Sequence, residues 1–123
     1  MWHVEFDPAQ HLLTLSMREQ VFGLDMRDLA RAHARALEAT GGSPFKVLLD
    51  LRGLHPLDPD AAEMLGDMKR VAARVDGYQG RAVLVDSPTI AMQQRNTTIE
   101  DGGRVEELIT VDEDRALDYL HSG

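Results

Sequence analysis

Asp50, Arg52, His55, Asp58, Asp60, Asp86 and Ser87 are the residues of this 123-residue chain whose types and spacing could do chemistry. They follow two apolar runs, Phe45–Leu51 and Arg81–Val85, which read as strands buried on both faces. Open α/β sheets place their sites at such strand ends. A histidine among carboxylates can move a proton or hold a divalent cation. A structural account of the same residues is simpler. Asp58 before Pro59 is an N-cap followed by a first-turn proline, and Ser87 before Pro88 repeats the device. Asp60 places negative charge where the helix dipole favours it, and His55 falls in an exposed turn. No catalytic role is assigned to any of them.

The remaining chemistry-bearing residues are scattered. His3, His11, His33, His55 and His121 have no metal-ligand spacing, and the chain has no cysteine, which removes zinc–thiolate sites, disulfides and thiol nucleophiles. No metal and no cofactor is expected. The glycines form neither a phosphate-binding loop nor a dinucleotide fingerprint. His33 falls on the apolar face of its helix, where a hydrogen-bonded core histidine is expected. Met64 and Met68 could present a soft, adaptable patch to a partner. Arg95-Asn96-Thr97-Thr98 is the most polar stretch of a helix that otherwise packs.

The elements that must position these residues can be read in order. Trp2, Val4 and Phe6 alternate with polar neighbours, Asp7-Pro8-Ala9-Gln10 turns the chain, and Leu13, Leu15 and Met17 resume the alternation. Such a pair of runs is an antiparallel hairpin at a sheet edge. A helix follows with Asp25 as its expected cap, Leu24 placed to staple onto Leu29, and Met26, Leu29, His33, Ala36 and Leu37 on one face. It stops at Gly41-Gly42. After the Phe45 strand comes a helix from Asp58 to about Val75, with Ala61, Leu65, Met68, Ala72 and Val75 inward. The second buried strand is followed by a helix from Ser87 to about Glu100 and a turn at Asp101-Gly102-Gly103. A strand over Val105–Val111 and a helix capped by Asp112 complete the chain. Helical crossovers imply parallel pairing. The expected fold is one α/β domain spanning residues 1–123: an N-terminal β-hairpin, then βα repeats forming a four- to five-stranded, mostly parallel sheet.

Composition narrows the partners. Hydrophobic residues make up 43% and charged residues 28%, as in an ordinary globular domain. A formal charge of −8 without any basic cluster argues against nucleic acid and anionic membranes, whose binding rests on neutralising phosphate. The N-terminus lacks a signal-peptide pattern, and no apolar run approaches the ~18 residues of a membrane span. The cytoplasm is the expected compartment.

The segment LLDLRGLHPLDPDAAEML resembles the central motif of STAS domains, the family of bacterial anti-sigma-factor antagonists and sulfate-transporter tails. That motif runs from an apolar strand through Asp-Leu-Ser-Gly to Asp-Ser-Ser-Gly-Leu at a helix start, and Asp50-Leu51-Arg52-Gly53 and Asp58 take the matching places. The tail VDEDRALDYL and the order of elements extend the resemblance over nearly the whole chain. The resemblance implies a non-catalytic regulatory module that docks a protein through the helix beginning at Asp58. It also implies a phosphoserine switch there, but Pro59 and Asp60 stand in the Ser-Ser positions, so Asp60 would act as a fixed charge. The residues expected at the binding surface are Arg52, His55, Asp58, Asp60, Met64, Met68, Ser87 and Arg95. A protein partner is expected, with a second copy of the chain among the candidates. The alternative is a small-molecule or lipid carrier of the same fold, with an apolar pocket beside Met64 and Met68 and Arg52 or Arg95 holding a polar head.

Overall fold

Among the described residues nine elements follow the expected order: β1 (Trp2–Asp7), β2 (Leu12–Met17), α1 (Gly23–Ala39), β3 (Phe45–Asp50), α2 (Pro59–Ala73), β4 (Tyr78–Leu84), α3 (Pro88–Glu100), β5 (Glu107–Thr110) and α4 (Glu113–His121). The computed structural model describes residues 1–100 and 107–122, the side chains of 96–100 excepted. The turn expected at Asp101-Gly102-Gly103 and the expected start of the last strand at Val105 lie outside the described residues.

The sheet runs β1-β2-β3-β4-β5, with β1 antiparallel to β2 and every other pair parallel. The hairpin is thus at an edge, and its turn is held by the Asp7 carboxylate, which accepts from the backbone N–H groups of Ala9 and Gln10. Period-2 alternation sorts the side chains. Leu13, Leu15 and Met17 of β2, Phe45, Val47 and Leu49 of β3, and Val83 of β4 face a helical layer built from α1, α2 and α3. Leu48, Ala82 and Leu84 face the other way, onto Ala116 and Leu120 of α4. Lys46, also on that side, donates to the Tyr119 and Ser122 carbonyls. A cation there suits the negative end of the helix dipole.

The helix starts explain where the chain turns toward its site. Asp58 is the N-cap of α2, its carboxylate accepting from Ala61 N–H at 2.8 Å, and Pro59 occupies the first helical position. Asp112 caps α4 in the same way, accepting from Asp114 and Arg115 N–H. α1 differs from expectation: the helix begins at Gly23 with Phe22 at the N-cap, and Asp25 reaches back to accept from Phe22 N–H at 3.0 Å. Leu24 points outward, 75% exposed, so it does not staple onto the fully buried Leu29. The helix starts earlier than a cap at Asp25 requires, which turns Leu24 off the buried stripe.

Between α2 and β4 the chain passes Gly77 at φ +93°, and the Gly77 carbonyl accepts from Phe45 N–H at 2.9 Å. A Cβ on Gly77 would run into the Ser43 carbonyl. Gly77→Ala should therefore cost more than about 2 kcal/mol, combining left-handed strain with that collision. Asp58→Ala should cost about 1 kcal/mol, the loss of one cap. Urea denaturation of both variants checks the pair; an Asp58→Ala protein as stable as the parent would refute the cap.

Candidate functional site

Three backbone segments are stitched together at the C-terminal ends of the parallel strands. Gly53 sits at φ +77°, donates its N–H to the Asp86 carboxylate at 2.9 Å and accepts from Glu19 N–H at 2.8 Å. The Glu19 carbonyl accepts in turn from His55 N–H at 2.8 Å. Leu54 and Leu57 are buried beneath this loop, while His55, Pro56, Asp58, Pro59 and Asp60 remain exposed. The result is a fixed ridge leading into α2. Asp60 makes no hydrogen bond or ion pair among the described residues, so its charge faces outward, uncommitted.

Arg52 is committed inside this edge. Its guanidinium grips the nearly buried Asp50 carboxylate in a fork, Nε at 3.0 Å and Nη2 at 2.9 Å, and its other nitrogen reaches Glu113 of α4 at 3.1 Å. Burial acts to raise the pKa of Asp50, but the hydrogen bonds and charge of Arg52, with the charge of Arg18, outweigh it and hold the pKa below the usual value. The same carboxylates raise the pKa of Arg52. This pair ties the end of β3 to the start of α4.

The sequence-derived candidates separate into two places. Arg52, His55, Asp58, Asp60 and Ser87 gather at the strand ends; Ser87 is half-buried and accepts a long contact, 3.5 Å, from Ile90 N–H. Met64 and Met68 instead line a groove of about 330 Å³ between α1 and α2, together with Ala30, His33, Ala34, Asp67 and Val71. Arg95 is exposed on α3 and lines neither. Two large apolar side chains, Phe22 and Leu24, are exposed where β2 passes into α1, and Met92 is exposed on α3. Among the described residues no three His, Asp or Glu side chains gather where a metal ion could sit, and no helix is long and apolar enough to cross a membrane.

A buried polar group escaped the sequence reading. Glu107 of β5 accepts from Arg81 Nε of β4 at 2.6 Å and pairs with Lys69 Nζ of α2 at 3.3 Å, all three side chains at most 5% exposed. The Lys69 contact is an ion pair whose angles fall outside hydrogen-bond geometry. Burial lowers the Lys69 pKa to about 8 against the opposing pull of Glu107. His33 of α1 lies beside this group and is 4% exposed, but its ring has no hydrogen-bond partner among the described residues, contrary to the expected hydrogen-bonded core histidine. Burial, then the charge of Arg81, lowers its pKa to about 4. The signal for Lys69 was helical spacing, since it lies four residues after Leu65 and three before Ala72, both buried.

The buried group yields two expectations. Glu107→Gln strands two buried cations and should cost about 3–5 kcal/mol, whereas Lys69→Met leaves the Arg81–Glu107 pair intact and should cost much less; urea denaturation at neutral pH compares them. For His33 the folded pKa lies below the ordinary 6.5, so the unfolded chain binds the proton first on acidification. Its contribution is present above pH 6.5 and lost as the pH falls toward 4, on the order of 3 kcal/mol between the limits. His33→Gln should flatten that part of the stability–pH profile relative to the parent; parallel profiles would refute it.

The chain matches no family model and no curated protein. Solved structures do match its fold. An anti-sigma factor antagonist from Mycobacterium paratuberculosis superposes with a TM-score of 0.69 at 15% identity, covering 99% of this chain and 94% of that one. An uncharacterized protein with a SpoIIAA-like fold from Shewanella loihica superposes at 0.68 with 16% identity, covering 98% and 92%. The five-stranded sheet and its helices form a STAS-like, SpoIIAA-like fold.

Proposed function

We propose that this chain is a non-catalytic regulatory module that binds a protein partner through the ridge from His55 to Asp60 and the first turns of α2. The observation carrying this reading is the ridge itself: backbone hydrogen bonds from Gly53 and His55 hold it in place, and it presents Asp60 with no partner among the described residues. A preorganised surface pays little ordering entropy on association, which favours docking over a loop that must first be fixed. Fold likeness to an anti-sigma factor antagonist supports a regulatory role, and the exposed Phe22 and Leu24 at the same end of the sheet supply apolar area. In this reading Asp60 is a permanent charge where the resembled antagonists carry a phosphorylatable serine, so binding is not switched at this helix start. Ser87 and Arg52 are positioning residues at the border of the surface. The proposed setting is the cytoplasm.

Partner capture with the intact chain from its native host tests the reading, using Asp60→Asn and Asp60→Lys alongside Asp58→Ala. Asp60→Lys should weaken capture of the specific partner at least tenfold while changing urea stability by less than about 1 kcal/mol, the scale of one charge on a helix dipole. Equal capture by parent, Asp60→Asn and Asp60→Lys would remove Asp60 from the surface. Intact-mass measurement followed by peptide mapping should show no phosphate on the helix that starts at Asp58; a phosphate there would overturn the unswitched reading.

A further inference from the structure

The groove between α1 and α2 carries an inference separate from the docking ridge. Its volume of about 330 Å³ lies at the lower end of small-molecule sites. Ala30, Ala34, Met64, Met68 and Val71 make it apolar, and the two methionines can adapt to an irregular occupant. Asp67, also lining it, is neutralised by an ion pair with Arg70. The remaining polar group is His33, more than nine-tenths buried, with no hydrogen-bond partner for its ring among the described residues. Its ring nitrogens are not among the fully enclosed polar atoms left without a partner, so they keep contact with solvent, and an occupant of the groove that His33 lines can reach them.

What lies behind His33 selects the ligand. A cavity of about 20 Å³, room for about one water, is walled by His33, Met68, Lys69 and Arg81. Two cations border this cavity, and the carboxylate paired with both is Glu107. Among the described residues the interior behind the imidazole therefore holds two cations against one carboxylate. An anionic head at His33 would offset that excess, and a cationic head would add to it.

We propose that the α1–α2 groove binds a small monocarboxylate with an apolar body. The body lies among Met64, Met68 and Val71, and the carboxylate accepts a hydrogen bond from the His33 ring on the side of Arg81 and Lys69. The short groove selects compact acids over long-chain lipids. Neither Arg52 nor Arg95 lines this groove; His33 is the polar anchor.

Isothermal titration calorimetry of the full chain with octanoate, 1-octanol and octylamine tests the site. Octanoate should bind saturably, one per chain, and about tenfold more tightly than octanol, the difference one charge-assisted hydrogen bond makes; octylamine should bind most weakly. Ala34→Trp fills the groove from its exposed rim, without entering the core, and should abolish octanoate binding. His33→Phe should bring octanoate and octanol to equal affinity, with His33→Gln restoring part of the preference. If His33→Phe does not fold, Ala34→Trp still decides the location. No saturable octanoate binding, equal affinity for octanoate and octanol in the parent, or unchanged binding by Ala34→Trp would each overturn the proposal. Asp60→Lys should bind octanoate as the parent does, so failure here and failure of the docking ridge are separately readable.

Discussion

Glu107 is the interaction on which the arrangement of the helical layer depends. It lies directly opposite Arg81 in the β4–β5 ladder, on the face the helices cover, and α2 brings Lys69 down onto it. Each cation alone would be too costly to bury. With the carboxylate between them, all three side chains can sit in a layer otherwise built from leucine, valine and methionine. The consequence reaches α2 as a whole. Its N-terminal half docks through Ala61 and Leu65, its C-terminal half through Lys69 and Ala72, so the helix is held at both ends.

The other face of the sheet is organised by different means. α4 covers β3, β4 and β5, and two polar clamps fix its ends. Arg52, gripped by Asp50, holds Glu113 at the start of the helix, and Lys46 holds the carbonyls at its finish. Both clamps pair a charge with the favourable end of the helix dipole or with an acid beside it. The Asp50–Arg52 fork also sits at the root of the ridge that leads to α2, so the same two residues anchor elements on opposite faces of the sheet. Arg52 is thereby a structural fastener before it is anything else.

Alternation, caps and glycine turns made most of the fold legible. Val4, Leu15, Leu49 and Val83 alternate or cluster because they face a covered sheet surface, and Asp58 and Asp112 advertise their helices because a free backbone N–H must find an acceptor. Leu24 was misread because a hydrophobic staple assumes a cap at Asp25, while the helix starts at Gly23 and Asp25 serves from its third position. The site was legible only in part. His55, Asp58 and Asp60 follow one another in the chain, so their grouping needs no tertiary information. Lys69, Arg81 and Glu107 come from three elements and each reads singly as a surface charge. Only the β4–β5 register and the landing of α2 bring them together. His33 was recognised as inward-facing from its helical spacing, but whether a buried ring finds a partner depends on side chains from other elements.

The same division accounts for a full-length structural match at 15–16% identity. What the superposed chains must share is the order of strands and helices, the parity that sorts side chains to the two faces, and turns tight enough to close each crossover. Many residues satisfy these demands, since a hydrophobic position of about the right size accepts leucine, valine, isoleucine or methionine with little loss. Charges placed within such a layer obey a stricter rule, because each must meet its counter-charge at one distance and one orientation. The Glu107 group obeys that stricter rule, and His33, without a hydrogen-bond partner among the described residues, is a polar group set in the same layer. Any function peculiar to this chain is to be sought where such residues face open space: at the outward carboxylate of Asp60, and at the imidazole flooring the groove.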